Sequence, residues 1–238
     1  AEINYRLTSD LIDDIFFESA YPYIPNMDDY INKFLDGNEQ VLLLIGPPGT
    51  GKTRFIRNIL KHNKLRKEEE QELAEIGNED IFRENNNSQV FYTNDETVLQ
   101  QDIMFIDFFC SEDSIMVLED IDYDLKSRKD RNPFMYKLLS SSDGVIKSKN
   151  NNKIILSTNL PNISEIDEAL LRPGRCYDVL QMRPLTKAEA KEFLKNFPGT
   201  KAELTENNYT LAELYRLVKN IELKEVKNPL EKPKVGFC

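Results

Sequence analysis

Two spacings of apolar residues alternate along the chain. Residues 41–45 (VLLLI) and 115–118 (IMVL) are unbroken apolar runs, and 153–157 (KIILS) is nearly one. Such runs, without polar alternation, suit strands buried on both faces, as in a parallel sheet. A further strand is expected at 89–93 (QVFYT). Between the runs, apolar residues recur every three or four positions, the period of a helix with one buried face. Asn26 caps such a helix to about Leu35, with Asp29 three residues on, Gly37 as the stop and Ile31, Phe34 and Leu35 as the buried stripe. Phe55, Ile56, Ile59 and Leu60 mark a helix at 53–61, and another is expected at 97–109. Asn132 as cap, Pro133 in the first position and Gly144 as the stop define one at 132–143. Ser164 and Asp167, at capping-box spacing, open a short helix at 164–171. Residues 64–87 are charged and poorly apolar, so they read as a solvated helix followed by a loop, with a partner-docking surface as the alternative. The Asn runs 85–87 and 150–152 read as loops.

Past Pro184 helices dominate. Thr186 with Glu189, and Thr210 with Glu213, have capping-box spacing, and Leu211, Leu214, Leu217, Val218 and Ile221 form an apolar stripe. The chain therefore divides into an α/β domain at 1–183, a small helical lid domain at 184–222 and a tail at 223–238 with Pro229 and Pro233. Strands alternating with helices imply a three-layer αβα fold around a central parallel sheet. Ligands in such sheets sit at the carboxyl ends of the strands.

Composition narrows the function classes. A length of 238 residues suits one large domain or a core with a small satellite. The net charge of −10 argues against a protein that coats nucleic acid, while leaving room for a local basic groove. Cys110, Cys176 and Cys238 are odd in number and form no CxxC pair, so they imply neither a disulfide framework nor a zinc site, and reduced thiols of a cytoplasmic protein are expected. His62 is the single histidine and reads as a surface residue. The longest candidate membrane run, 41–45, is far too short to span a bilayer, and no signal peptide is recognised.

The chemistry lies at the strand ends. Gly46, Pro47, Pro48, Gly49, Thr50, Gly51, Lys52 and Thr53 match G-x-x-x-x-G-K-[ST], between a buried strand and a helix that continues with Arg54. The glycines permit backbone conformations that a Cβ hinders, so successive N–H groups can cradle phosphates at a helix start. Lys52 reaches the β- and γ-phosphates of ATP, and Thr53 offers a hydroxyl to Mg²⁺. The strand at 115–118 delivers Glu119 and Asp120. One carboxylate should hold the Mg²⁺ shell and the next should orient the attacking water and accept its proton. In the simplest register Glu119 serves the metal and Asp120 the water; a one-residue slip would leave Ile121 where the base should stand. Asp122 caps or pairs structurally. Asn159 ends the strand at 153–157, where an amide can both donate and accept beside the γ-phosphate. Arg172 and Arg175 lie near the end of the short helix, with Pro173 and Gly174 fixing the turn. Tyr21 and Tyr23, beside Pro22 and Pro25, are candidates for the adenine pocket.

In this order the motifs resemble the AAA branch of the AAA+ ATPases over residues 20–220. GPPGTGKT resembles the family's Walker A, VLEDID its Walker B, LLSSSDGV (138–145) the stretch that follows, STN its sensor 1 and EALLRPGR its second region of homology. The resemblance implies ATP-driven rings, commonly hexamers, in which Arg172 and Arg175 reach the nucleotide of the next subunit. The Glu–Asp order and the segment 89–109 look most like the mitochondrial-translocase group, whose members remodel proteins, and phage and bacterial proteins share the pattern. Two features depart from the family. Residues 94–100 (NDETVLQ) lack the aromatic and glycine of a peptide-gripping pore loop, and 209–214 (YTLAEL) carries no sensor 2 arginine, Arg216 being late in the helix. The leading expectation is a ring ATPase remodelling a protein partner. The alternatives are a clamp- or helicase-loader acting with DNA and a slowly hydrolysing, ATP-gated scaffold.

Overall fold

The computed structural model describes residues 15–76, 89–99, 101–122, 125, 151–200 and 203–223. The helix expected at 132–143 and the family-like stretch 138–145 lie outside the described residues, as does the tail from 224. Helix α1 (Met27–Asp36) leads to β1 (Val41–Ile45), α2 (Lys52–Ile76), β2 (Val90–Thr93), α3 (Glu96–Leu99), α4 (Ile103–Cys110), β3 (Ile115–Leu118), β4 (Lys153–Thr158) and β5 (Cys176–Gln181). The C-terminal part adds β6 (Leu185–Thr186), α5 (Lys187–Leu194), β7 (Asn208–Tyr209) and α6 (Leu211–Leu223).

The five longer strands form one sheet in the order β2-β3-β4-β1-β5, every pairing parallel. Alternate residues of the buried strands enter opposite layers, as the period of two requires. Leu42, Leu44, Ile115, Val117 and Ile155 join Ile31 and Phe34 of α1 and Phe55 and Ile59 of α2 in one buried cluster. Val41, Leu43, Met116, Leu118, Ile154 and Leu156 join Phe105 and Phe108 of α4 with Ile166 and Leu170 in the other. The result is the expected three-layer αβα arrangement. Phe193 of α5 and Leu211 and Leu214 of α6 belong to the first cluster, so the C-terminal helices share its core.

Several local expectations hold. The Asn26 side chain accepts from Asp29 N at 3.0 Å and caps α1. Both capping boxes form, with Thr186 N donating to Glu189 Oε2 and Thr210 N to Glu213 Oε2, each at 2.8 Å. Cys110 and Cys176 carry free thiols, and Cys238 lies outside the described residues. His62 is only partly exposed, and its Nε2 lies 2.8 Å from Asn32 Oδ1, tying α2 to α1.

Others are corrected. The helix expected at 97–109 is two helices. Leu99 and Phe105 enter the same buried cluster, but six residues of continuous helix would leave them about 120° apart, so the chain turns between them. The helix expected at 164–171 is a 3₁₀ turn at Ile163–Glu165 followed by turns. Asp167 does not close a capping box; its Oδ1 accepts from Ala169 N at 2.9 Å and holds a local turn. Helix α2 runs on to Ile76, its charged half laced by Lys64–Glu68 (3.6 Å) and Arg66–Glu70 (3.8 Å) pairs one turn apart. Strand β5 was not foreseen; its residues are mostly half-buried, which blurs the apolar run. Among the described residues no helix is long and apolar enough to cross a membrane.

Candidate functional site

The loop 46–51 joins β1 to α2 at the carboxyl edge of the sheet. Its glycines are required by close approach. At Gly46 a Cβ would lie 2.0 Å from Met182 O, and at Gly51, with φ +96°, it would lie 2.6 Å from Leu211 Cδ1 and 2.8 Å from Tyr21 Oη. A larger residue at Gly46 would have to move the Met182 backbone, and at Gly51 it would displace the Leu211 and Tyr21 side chains and strain a left-handed backbone.

The sheet brings the expected polar groups to this loop. Lys52 Nζ donates to Gly46 O (2.7 Å), Pro47 O (3.2 Å) and Asn159 Oδ1 (2.8 Å). Burial lowers its pKa, opposed by the charges of Asp120, Asp122 and Glu119. Thr53 Oγ1 donates to Glu119 Oε1 at 2.6 Å, because β3 ends beside the start of α2. Asn159 Nδ2 donates to Asp120 Oδ1 at 2.9 Å. Asp120 has φ +57°, a left-handed conformation uncommon outside glycine, and its N–H donates to Ser157 Oγ at 3.2 Å. That kink turns its side chain to the loop while Glu119 faces Thr53. Asp122 is structural: its Oδ1 accepts from Thr158 Oγ1 and Asn159 N, both at 2.7 Å.

These groups open on a cleft of about 540 Å³, lined by the loop, Arg54, Arg57, Asp120, Asn159, Leu211, Ala212 and Tyr215. The start of α6 forms its far wall, with Ala212 N donating to Gly49 O at 3.0 Å. Arg54 donates to Tyr215 Oη, and its guanidinium carbon lies 4.4 Å from the centre of that ring.

The aromatic expectations need correction. Tyr21 is fully buried, stacked on Phe16 at 5.1 Å, and its hydroxyl donates to Gly51 O at 3.0 Å. It braces the loop from behind and does not line the cleft. Tyr23 lies under Arg183, whose guanidinium is 5.4 Å from its ring centre, and burial pushes its hydroxyl pKa up. The aromatic residue at the cleft is Tyr215, which enters only because α6 folds back over the loop. Tyr92, at the end of β2, was also missed. Burial and the neighbouring Glu119 carboxylate push its pKa up to about 12.

The two arginines part company. Arg172 is exposed. Arg175 is 4 % exposed and turns inward, donating to Ala169 O, while its own carbonyl accepts from Gln40 N and Val41 N, both at 3.0 Å. The expectation that both reach a neighbouring subunit is therefore corrected for Arg175, which ties the 169–175 turn to the start of β1.

Comparison with known proteins agrees with this geometry. Over 162 residues, covering 65% of this chain, the sequence is 29% identical to the 26S proteasome regulatory subunit 8 homolog of Encephalitozoon cuniculi. Over 167 residues, also 65% of this chain, it is 33% identical to an AAA-ATPase of Arabidopsis thaliana. It is 34% identical over 141 residues, 56% of this chain, to the vesicle-fusing ATPase of Dictyostelium discoideum. The matches cover 37%, 32% and 18% of those relatives' own lengths. Residues 42–184, from β1 to the end of the sheet region, match the profile of one family. The chain belongs to the ATPase family associated with various cellular activities (AAA).

Proposed function

We propose that the chain binds ATP with Mg²⁺ in the cleft beside residues 46–53, hydrolyses it, and couples turnover to remodelling of a protein partner from within a ring. The observation that carries this reading is the convergence of Lys52, the Thr53–Glu119 pair and the Asn159–Asp120 pair on one loop. The donor set fits a hard divalent cation: a hydroxyl and a carboxylate oxygen 2.6 Å apart, both oxygen ligands. Thr53 and Glu119 would hold Mg²⁺, which when bound offsets the charge of the phosphates. Lys52 would orient the β- and γ-phosphates. Asn159, bonded to both Lys52 and Asp120, would place the attacking water, and Asp120 would take its proton as the bridging P–O bond breaks.

The C-terminal part at 184–222 would act as a lid, with α6 closing the cleft through Ala212 and Tyr215. Arg172 would reach the nucleotide of a neighbouring subunit. Relatives named as a proteasome regulatory subunit and a vesicle-fusing ATPase support a macromolecular partner, and a ring is typical of the family. Within the family we place the chain nearest the mitochondrial-translocase group, on the Glu119–Asp120 order. A second reading, a slowly hydrolysing ATP-gated scaffold, is favoured by that same order and by the left-handed backbone at Asp120. Single-turnover hydrolysis by wild type and Asp120→Asn separates them: a motor loses its fast phase in the variant, whereas equally slow chemistry in both would reject Asp120 as the base.

A further inference from the structure

Helix α2 is 25 residues long, and only its first turns face the nucleotide cleft. Its second half passes the amino ends of β3 and β4, at the opposite edge of the sheet. There a separate cavity of about 150 Å³ is lined by Asn63, Arg66, Lys67 and Glu70 of α2, with Leu35, Asp113, Ile115, Asn151 and Lys153. At about 30 Å³ per liquid water, this is room for one small oxyanion and a little water.

The charges inside this cavity are unevenly placed. Lys153 is 2 % exposed, and its ammonium donates to Gly37 O (2.6 Å) and Glu39 O (3.2 Å), which leaves one of its three donors. Arg66 pairs through one terminal nitrogen with Asp36 at 2.5 Å, while its buried Nε–H makes no hydrogen bond among the described residues, the Glu70 carboxylate lying 3.8 Å away. The Asn63 amide is 8 % exposed and lines the cavity. Asn151 Nδ2 is already committed to Leu35 O at 2.9 Å. Glu70 and Asp113 are exposed, and the Lys67 ammonium donates outward to Asp113 O at 2.9 Å, so the buried charge of the cavity is that of Lys153. Burial lowers the pKa of both Lys153 and Lys67, opposed by the carboxylates of Glu39, Asp36 and Asp113 around Lys153 and of Asp113 and Glu70 around Lys67. A buried donor that makes no hydrogen bond, beside a desolvated ammonium with a donor to spare, is relieved by an anion that accepts from several directions.

We propose that this cavity is a second anion site, accepting a tetrahedral oxyanion of the phosphate or sulfate class through Asn63, Arg66 and Lys153, at the end of the sheet remote from the nucleotide. Its occupation would brace the second half of α2 against β4 and the Gly37–Glu39 turn. The site does not depend on the ATPase reading, since none of its residues lines the nucleotide cleft.

The test titrates inorganic phosphate, then sulfate, into the full chain saturated with ADP, and again into the Lys52→Ala chain, so that the loop at 46–53 does not report. Chloride at equal ionic strength is the control. The expected result is a saturable rise in the thermal midpoint that chloride does not reproduce, with phosphate affinity lowered about tenfold or more in Arg66→Gln and Asn63→Leu. Arg66→Lys keeps the charge opposite Asp36 but lacks the Nε–H, so it serves if Arg66→Gln fails to fold, and it too should bind more weakly. A rise no larger than that in chloride, or equal phosphate affinity in wild type and the Arg66 variant, would overturn the proposal.

Discussion

The start and the middle of α2 meet charge in opposite ways. At its start, the chain presents backbone amides and glycines that no side chain can replace, and the single lysine of the loop is met by two carbonyls and an amide oxygen. At its middle, the cavity is built from side chains of four separate segments, and its cations are only partly met. A site made of backbone leaves a contiguous signature in the sequence. A site made of side chains gathered by tertiary folding leaves none.

The comparison is tested most severely at the loop. Lys52→Ala should lower ATP affinity about 100-fold, as measured by calorimetry, since charge-assisted bonds to the phosphates are lost. A retained affinity would show that the backbone alone holds the triphosphate. Asp120→Asn should leave binding intact and cut steady-state turnover by about 10²–10⁴. Arg172→Ala should lower turnover while leaving nucleotide affinity of the isolated chain unchanged, and Arg175→Ala should instead lower the thermal midpoint, because Arg175 holds a buried turn. If both variants behave alike, the inward and outward assignments are wrong.

Smaller effects distinguish the far end. The Lys153 ammonium sits near pKa 8 in the fold, below its ordinary 10.5, because burial penalises its charge. Between those values the unfolded chain holds the proton that the folded chain has released, so folding stability should rise as pH increases from about 8 to 10.5. Lys153→Met should flatten that rise in a series of melts, whereas an unchanged slope would assign the titration elsewhere. Least of all, Glu189→Ala should lower stability by about 1 kcal/mol through loss of the capping box. The folded carboxyl is held down to about 2 by Arg183 and the Thr186 groups, against an ordinary 4.5. Its contribution should therefore be full above about 4.5 and fade as pH falls toward 2.

What the sequence made legible follows the same division. The apolar runs at 41–45 and 115–118 announced buried strands because both faces of the sheet are covered. The loop at 46–53 and the carboxylates after β3 were readable because each sits directly at a strand end. Asp122, expected to cap or pair, accepts from Thr158 and Asn159. By contrast, nothing local distinguishes Tyr21, which braces the loop, from Tyr215, which lines the cleft. Tyr92 meets Glu119 only because β2 pairs with β3 in the register that matches Tyr92 with Val117. Arg172 and Arg175 are three residues apart on a turn, and only the packing around Ala169 decides which one points inward. The interruption of the helix between Leu99 and Phe105 follows from their six-residue spacing only once both are known to share a buried face.

The single bond from Ala212 N to Gly49 O has a mechanical corollary. It hitches the first turn of the last helix to the crest of the glycine loop, so neither can tilt without dragging the other or letting go. A small reshaping at 49–51 would then be levered outward along α6, and a neighbouring molecule leaning on that helix would tug on the loop in return.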